Sequence, residues 1–286
     1  MLKNLQDNLT EILPSSPYFP SEWKELPDCP QKLYALGDIS LLQGKKLAVV
    51  GSRRTPANAL KLGMEICKTL SSQLVIVTGT ADGGDSAAIE GALAGGGKVV
   101  CLLAGGFSAL PQCNLALIEK VAKRGLILSP HPFETEVRAF SYEYRNKLLA
   151  KLCQGVLVLG AGEKSGALIT AKYAVHFKKT IFALPYPPNS ASGVGCNQLI
   201  KKGSYLTESA KDVAEQWGID LTEKKREISL TADEERLYAC LKEGEAHASE
   251  LAQKAGIPVF KLRAILSSLE VKGLIVSLGG NCYAAV

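Results

Sequence analysis

Short, almost uninterrupted apolar runs alternate with longer segments of helical periodicity through the middle of the chain. Six runs are rich in Val, Ile and Leu, at residues 47–50, 74–77, 99–103, 126–128, 156–159 and 180–184. Between them apolar residues recur at helical spacing, as in Leu60, Met64 and Cys67. Strands that are apolar on both faces and separated by helices predict a mainly parallel sheet covered on both sides. With right-handed crossovers, this is an α/β, Rossmann-like doubly wound fold.

The two ends of the chain follow other patterns. Residues 1–40 contain prolines at 14, 17, 20, 27 and 30, which disfavour long helices and central strands, so we predict an extended lead-in. A charged linker at 223–229 closes the Rossmann-like domain, which we place at 41–222. Beyond it, three helical patterns (233–241, 248–255, 259–272) precede a hairpin pattern (274–278, 282–285). Three helices followed by a hairpin predict a winged helix domain at 229–286.

Composition excludes several classes of protein. Of the 286 residues, 47% are hydrophobic and 21% are charged, unlike disordered, collagenous or coiled-coil chains. No apolar stretch approaches the roughly 20 residues that span a bilayer, and the N-terminus lacks a secretory pattern. The eight cysteines include no CxxC pair, so neither a disulfide framework nor a zinc site is indicated. We expect a cytoplasmic protein with no membrane partner.

The net charge of +5 is unevenly distributed. Residues 41–220 contain 21 Lys and Arg against 13 Asp and Glu, whereas residues 224–286 contain 9 against 8 and residues 1–40 contain 3 against 6. The basic excess therefore lies in the predicted α/β domain. This favours a polyanion or phosphorylated ligand there, and a solvated surface of mixed charge is the alternative.

Turns rich in glycine and small polar residues follow four of the predicted strands. They lie at 51–54, 78–85, 104–106 and 163–170. Ligands of open parallel sheets bind beyond the carboxyl ends of the strands, where backbone N–H groups and helix N-termini favour phosphate. Neither the dinucleotide pattern G-x-G-x-x-G nor a P-loop is present, so we predict no nucleotide cofactor. The alternative for any single turn is that its glycines serve only the backbone geometry of the connection between strand and helix.

Residues 138–147 interleave three aromatic with three basic residues in the run Arg-Ala-Phe-Ser-Tyr-Glu-Tyr-Arg-Asn-Lys. Bases stack on aromatic rings while Arg and Lys follow the backbone, which indicates a site for single-stranded nucleic acid. The alternative is a helix whose rings, Tyr142 and Tyr144 above all, lie in the core.

These segments together resemble the DNA-processing protein A family (DprA, also called Smf). Six motifs occur in the order of the family: Gly51-Ser52-Arg53, Thr78-Gly79-x-Ala81-x-Gly83-x-Asp85, Arg145-Asn146, Ser165-Gly166-x-Leu168-Ile169-Thr170-Ala171, Phe182-Ala183-x-Pro185 and Gly195-x-Asn197-x-Leu199-Ile200-x-x-Gly203. The resemblance extends from about Pro20 to the winged helix. It implies an extended Rossmann fold that binds and protects single-stranded DNA, usually as a homodimer. It also implies help in loading the RecA recombinase during natural transformation, without known catalytic turnover.

The predicted DNA-binding site combines the turns, the aromatic and basic run and the family motifs. Its members are Gly51, Ser52, Arg53, Arg54, Gly79, Arg138, Phe140, Arg145, Asn146, Lys164, Ser165 and Gly166. Arg53, Lys164 and Arg145 are the expected principal cations. Asp82 stands where the family often has arginine, so we expect weaker binding than is typical. We expect Asp85 to cap the helix that begins near Ser86.

Two other functions stay open at this point. One is a Rossmann-like nucleotide hydrolase, although its P-G-G-x-G-T signature is not found and His131 is the only plausible general base. The other is a winged-helix regulator that binds duplex DNA through residues 259–272. We predict that the chain is not an enzyme. Because the winged helix segment is nearly neutral, we also predict that it is not the main DNA-binding element.

Overall fold

The computed structural model describes residues 6–221, 230–272 and 274–285, and the chain divides after Leu221 into two compact units. The predicted linker at 223–229 lies outside the described residues. Among the described residues, no helix is both long and apolar enough to cross a membrane.

The first unit is built on a nine-stranded, mostly parallel sheet in the order β1-β2-β6-β5-β4-β3-β7-β8-β9. The strands are β1 (Thr10–Ile12), β2 (Leu33–Gly37), β3 (Lys46–Gly51), β4 (Val75–Thr78), β5 (Val99–Leu102), β6 (Leu126–Ser129), β7 (Gly155–Gly160), β8 (Thr180–Ala183) and β9 (Tyr205–Leu206). Strands β3 to β9 run parallel to their neighbours among themselves, while β1 and β2 pair antiparallel. The six apolar runs became β3 to β8, which confirms the predicted doubly wound α/β fold.

Helices cover both faces of this sheet. They are α1 (Ser21–Lys24), α2 (Ala57–Leu70), α3 (Gly84–Gly95), α4 (Leu115–Arg124), α5 (Ala139–Leu152), α6 (Gly166–His176), α7 (Val194–Lys201) and α8 (Ala210–Trp217). Alternate residues of β3 enter different hydrophobic cores: Leu47 and Val49 lie in one, and Ala48 and Val50 lie in the other. The strand is therefore buried on both faces, as its continuous apolar run predicted.

The N-terminal segment is part of the sheet rather than an extended lead-in. Strand β2 pairs antiparallel with β6 and buries Leu33 and Ala35, and β1 pairs with β2 at the sheet edge. Trp23 is fully buried, and its indole N–H donates to the Leu148 carbonyl at 2.8 Å. The prolines lie before β2 and outside it, so its backbone donors remain available for the ladder. The α/β unit thus begins well before the predicted boundary at residue 41.

The second unit has its own hydrophobic core. Helices α9 (Ala232–Lys242), α10 (Ala248–Lys254) and α11 (Val259–Val271) precede a three-stranded antiparallel sheet of β10 (Ala246–His247), β11 (Ile275–Gly279) and β12 (Cys282–Ala285), in the order β10-β12-β11. Buried Glu234 on α9 accepts hydrogen bonds from Lys272 at 2.6 Å and from Ser268 at 2.7 Å, which ties α9 to the end of α11. The Lys272 hydrogen bond in particular lowers the pKa of Glu234 to about 2. Three helices and a hairpin match the predicted winged helix.

A close approach between two glycines fixes α3 against the end of β3. A Cβ on Gly84 would lie 2.3 Å from the Gly51 Cα atom. We therefore expect Gly84→Ala to lower the free energy of unfolding by about 1–3 kcal/mol, since the backbone must shift. Gly166 also begins a helix after a strand, but its Cβ would meet no atom within 4 Å, so Gly166→Ala should change stability by less than about 0.5 kcal/mol.

Tryptophan fluorescence during urea unfolding measures this difference, because both tryptophans, Trp23 and Trp217, lie in the first unit. Equal unfolding midpoints for the two glycine variants would contradict the packing described for Gly84.

Candidate nucleic-acid interface

The turns after β3 and β7, together with α5 and the first turns of α3 and α6, surround a cavity of about 540 Å³ at the carboxyl edge of the sheet. The cavity wall includes nine of the twelve residues predicted for the site: Gly51, Ser52, Arg53, Arg54, Arg145, Asn146, Lys164, Ser165 and Gly166. The structure thus brings together side chains from three separate segments of the chain.

The turn after β3 holds two arginines at the cavity. The Ser52 backbone N–H donates to the Gly160 carbonyl at 2.8 Å, which joins this turn to the end of β7. Ser52 Oγ accepts from the Arg54 backbone N–H at 3.1 Å, and Thr55 Oγ1 donates to the Ser52 carbonyl at 2.8 Å. The backbone is therefore fixed while the side chains of Arg53 and Arg54 are exposed. Within the described part of the chain neither arginine has an ion-pair partner, so both charges are available to an anion.

Helix α6 presents its N-terminus to the same cavity. Ser165 is the N-cap, and its Oγ accepts from the Ala167 backbone N–H at 3.3 Å. The next residue, Gly166, is exposed with open space where a side chain would stand. Free N–H groups and the helix dipole favour an anion here, and exposed Lys164 adds a full positive charge.

Thr170 belongs to this wall, although it was not among the predicted residues. It lies one turn beyond Gly166 and lines the cavity, and its buried Oγ1 has no hydrogen-bond partner within the described residues. Residues four apart share a helix face, so this spacing was a usable signal in the sequence. A buried hydroxyl without a partner is uncommon, which supports a ligand that supplies one.

Arg145 differs from its predicted role as an open cation. Only 7% of the residue is exposed, and its Nη1 atom lies 3.6 Å from Asp85 Oδ2 and 3.5 Å from the Leu102 carbonyl oxygen. Gly79 leaves the space that this guanidinium occupies, since a Cβ there would lie 1.4 Å from Nη1. Gly79 therefore positions Arg145 and is not part of the cavity wall. Arg145 itself balances a buried carboxylate, and its Nε has no partner within the described residues.

The expectation that Asp85 caps a helix is wrong. Helix α3 begins at Gly84 with Gly83 as its N-cap, and no side chain caps it. Instead, Asp85 Oδ2 accepts from the Ala81 backbone N–H at 3.2 Å and faces Arg145. Burial raises the pKa of Asp85, and the nearby Arg145 only partly opposes this shift. Within the described part of the chain, Arg145 is thus the one cation that pairs with this buried carboxylate, which itself lines the basic cavity.

The aromatic side chains of α5 divide between surface and core. Phe140 is 66% exposed and Tyr142 is 42% exposed, and Tyr142 also lines the cavity. Tyr144 instead packs against the core, and its hydroxyl donates to the Asp28 carbonyl at 2.8 Å. The alternative of core rings therefore applies to Tyr144 only. Two rings remain accessible to a ligand.

Three of the predicted residues at α5 differ in how they reach the cavity. Arg138 and Phe140 lie at the exposed start of the helix, outside the residues that line the cavity. Asn146 is buried in its wall and donates from Nδ2 to the Gly166 carbonyl at 3.4 Å, which ties α5 to α6. Asn146 therefore shapes the cavity, whereas Arg138 and Phe140 extend the exposed surface beyond it.

A smaller cavity of about 110 Å³ adjoins the first. Arg53, Tyr142 and Arg145 contribute to both, and the turn at 104–106 and Asp82 line the smaller one. The exposed Asp82 carboxylate therefore adds negative charge beside Arg53, at the position where the sequence predicted weaker binding.

The one histidine considered as a general base lies apart from both cavities. His131 is half-buried, its ring lies 5.8 Å from that of Tyr144, and burial lowers its pKa. Among the described residues, no group of three His, Cys, Asp or Glu side chains could hold a metal ion. The cavity wall offers neutral donors, exposed cations and the ring of Tyr142, and it also includes the buried Asp85 carboxylate that pairs with Arg145.

Comparison with known proteins agrees with the motif order. Residues 10–218 match the family described as DNA recombination-mediator protein A, and residues 222–281 match the DprA winged helix domain. DNA processing protein DprA of Streptococcus pneumoniae is 34% identical over 196 residues, which cover 68% of this chain and 70% of that protein.

Two solved structures are similar across most of the first unit. The crystal structure of DNA processing protein A from Streptococcus pneumoniae superposes with a TM-score of 0.70 at 31% identity, covering 75% of this chain and 77% of that one. DNA processing protein A from Helicobacter pylori, studied for its single-stranded DNA binding mode, gives a TM-score of 0.67 at 29% identity and covers 73% and 95%. With matches to both domains of the family, the chain is a member of the DNA-processing protein A (DprA/Smf) family.

Proposed function

We propose that this chain binds single-stranded DNA at the carboxyl edge of its nine-stranded sheet. Phosphates contact the turn at 51–54 and the N-terminus of α6, while bases stack on Phe140 and Tyr142. The observation that carries the proposal is one cavity that gathers exposed Arg53, Arg54 and Lys164 beside an exposed aromatic ring. The single-stranded DNA binding mode described for the Helicobacter pylori relative supports it.

The accessible rings favour a single strand over a duplex. Stacking of a base on an aromatic side chain contributes about 1–3 kcal/mol, and only an unpaired strand can turn its bases onto a protein ring at little cost. A cavity of about 540 Å³ is of the size that holds a small ligand, so one nucleotide unit can enter it.

The experiment that tests this function compares affinities for single-stranded and duplex DNA as salt is varied. We expect tighter binding of the single strand, with log K falling against log salt by about 0.7 for each phosphate neutralised. Equal or tighter binding of the duplex would instead support a winged-helix regulator.

The winged helix should contribute little to this affinity. Its segment at 224–286 has 9 basic and 8 acidic residues, whereas the preceding 41–220 has a large basic excess. A chain that ends near Lys225 should therefore keep its single-strand affinity within a few-fold, as measured by fluorescence anisotropy. The truncated chain must first show the same mass in sedimentation and the same tryptophan unfolding curve. Loss of most affinity in such a folded chain would assign the DNA to the winged helix.

The proposal includes two protein partners and a cellular role. Family membership supports protection of incoming DNA, loading of the RecA recombinase in transformation or recombination, and homodimer formation in the cytoplasm.

Helix α8 offers no apolar dimer surface at Val213, because that residue is fully buried. Edge strand β9 is the better candidate, since Leu206 is 47% exposed on it and, among the described strands, β9 pairs only with β8.

We expect Leu206→Arg to reduce the sedimenting mass of the chain from dimer towards monomer at micromolar concentration, because a charge would be buried in an isologous contact. Val175→Arg is the matched control, since Val175 is 63% exposed and lies on α6, outside β9. A dimer that persists in Leu206→Arg would exclude β9 from the contact.

A further inference from the structure

Helix α11 carries an exposed, uncharged stripe on the face opposite its core residues. Its four members are all exposed and recur at spacings of four, three and four, which places them on one helix face: Phe260, Ala264, Ser267 and Val271. Phe260 is 81% exposed and Val271 is 89% exposed. Side chains this apolar at both ends of one exposed helix face are typical of a surface that a partner covers.

The order of sizes along the α11 stripe is self-complementary. Large side chains stand at its two ends and small ones in its middle, at the same spacing when read in either direction. In an antiparallel pair related by a twofold axis, Phe260 therefore meets Val271 of the second copy, and Ala264 meets Ser267. We propose that α11 is a self-association surface that pairs antiparallel with α11 of a second copy of this chain.

The charges on one flank of the stripe fit the same arrangement, whereas on the other flank Lys261 of each copy comes next to Lys272 of the other, which is already paired with Glu234 of its own chain. Arg263 and Glu270 are exposed and seven residues apart, so they lie on the same flank of the stripe. The twofold axis brings Arg263 of each copy next to Glu270 of the other, which gives two symmetric ion pairs. Within the described residues neither side chain has an ion-pair partner in its own chain. In a parallel pair, the flanks that carry Arg263 and Glu270 would lie on opposite sides of the interface, so neither ion pair would form.

Duplex DNA is a poorer match for this face. A helix that reads the major groove places donors and cations towards bases and phosphates, whereas the centre of this stripe is uncharged and Arg263 on its flank is offset by Glu270. The stripe covers only about three helical turns. It therefore buries much less surface than the roughly 800 Å² per partner of a stable interface. The pair is therefore weak by itself and forms where chains are already held together, as on one DNA strand or in a dimer.

Sedimentation velocity of the full chain, at concentrations from about 5 to 200 μM, tests this surface in the wild-type and Leu206→Arg backgrounds. We expect Phe260→Glu and Val271→Glu each to raise the dissociation constant of the association step through α11, which is populated at high concentration, by about tenfold or more. Folding should be unaffected, because both positions are exposed. Leu278→Glu, at a residue that is 52% exposed on β11 and outside the stripe, is the matched control and should leave the step unchanged.

A charge swap distinguishes self-pairing from any other occupant. Arg263→Glu alone and Glu270→Arg alone should each weaken association about three- to tenfold, and the double variant should restore it, because the two symmetric pairs are re-formed with reversed charges. Restoration by the double variant supports the antiparallel pair. If the double variant stays weak, or if the stripe variants change duplex binding without changing the association step, the proposal is overturned.

Discussion

A chain carrying both Arg53→Glu and Lys164→Glu should bind single-stranded DNA at least about 100-fold more weakly than the wild type. Each of these exposed cations is expected to make a charge-assisted contact to phosphate, and a hydrogen bond to a charged group contributes about 1.5–3 kcal/mol. Reversing these two charges adds repulsion of the DNA phosphates to the lost attraction. Anisotropy titrations at several salt concentrations should also show a shallower slope, because fewer counterions are released.

Lys123→Glu is the matched control for this loss. Lys123 is exposed near the C-terminus of α4, just before β6 begins, so it lies at the opposite edge of the sheet. The control changes net charge by the same amount per residue and should reduce affinity only slightly. An equal loss from Lys123→Glu would show that DNA responds to overall charge and not to the cavity.

Replacing Arg145 by Met should lower the free energy of unfolding by about 3 kcal/mol. The substitution leaves the buried Asp85 carboxylate without its cation, and removing one member of a buried pair costs about 3–5 kcal/mol. Adding Asp85→Asn to this variant should restore most of the stability, because no buried charge remains. Urea unfolding followed by tryptophan fluorescence gives all three values. Loss of the same stability in the double variant would show that Arg145 acts through packing alone.

The Arg145→Met variant should also be more destabilised at pH 7.5 than at pH 5, relative to the wild type at each pH. Burial already raises the pKa of Asp85 above its ordinary value of 3.8, and loss of Arg145 raises it further. A group with a raised pKa in the folded state stabilises the fold below its unfolded pKa, and this contribution is lost as pH rises through the folded pKa. The double variant with Asn at position 85 should not show this pH dependence.

Much of the fold could be predicted because the information is local in the sequence. The inner strands are buried on both faces, so each appears as a continuous apolar run between helical patterns. Strands β1, β9 and β10 have two or three residues each, too few to show a period. Strand β2 follows a proline-rich segment, and the prolines led to the prediction of an extended lead-in in place of a strand. Leu33 and Ala35 nevertheless alternate with less buried residues.

The location of the proposed site followed from the rule that ligands bind beyond the carboxyl ends of parallel strands. The roles of single side chains did not follow, because they depend on tertiary packing. Arg145 and Arg53 are the same residue type in the predicted site, yet one is buried against Asp85 and the other is exposed. Tyr142 and Tyr144 likewise differ only in the direction that α5 gives them.

Hydrogen exchange of the full chain, with and without a single-stranded oligonucleotide, tests the location of the DNA most directly. The backbone N–H groups at the N-terminus of α6 and in the turn at 51–54 are the proposed phosphate donors. We predict slower exchange on DNA addition in peptides that cover 51–56, 138–146 and 163–170, with little change over α4 at the opposite edge of the sheet. Protection confined to residues 230–285, with no change at the turns of the sheet, would contradict the site.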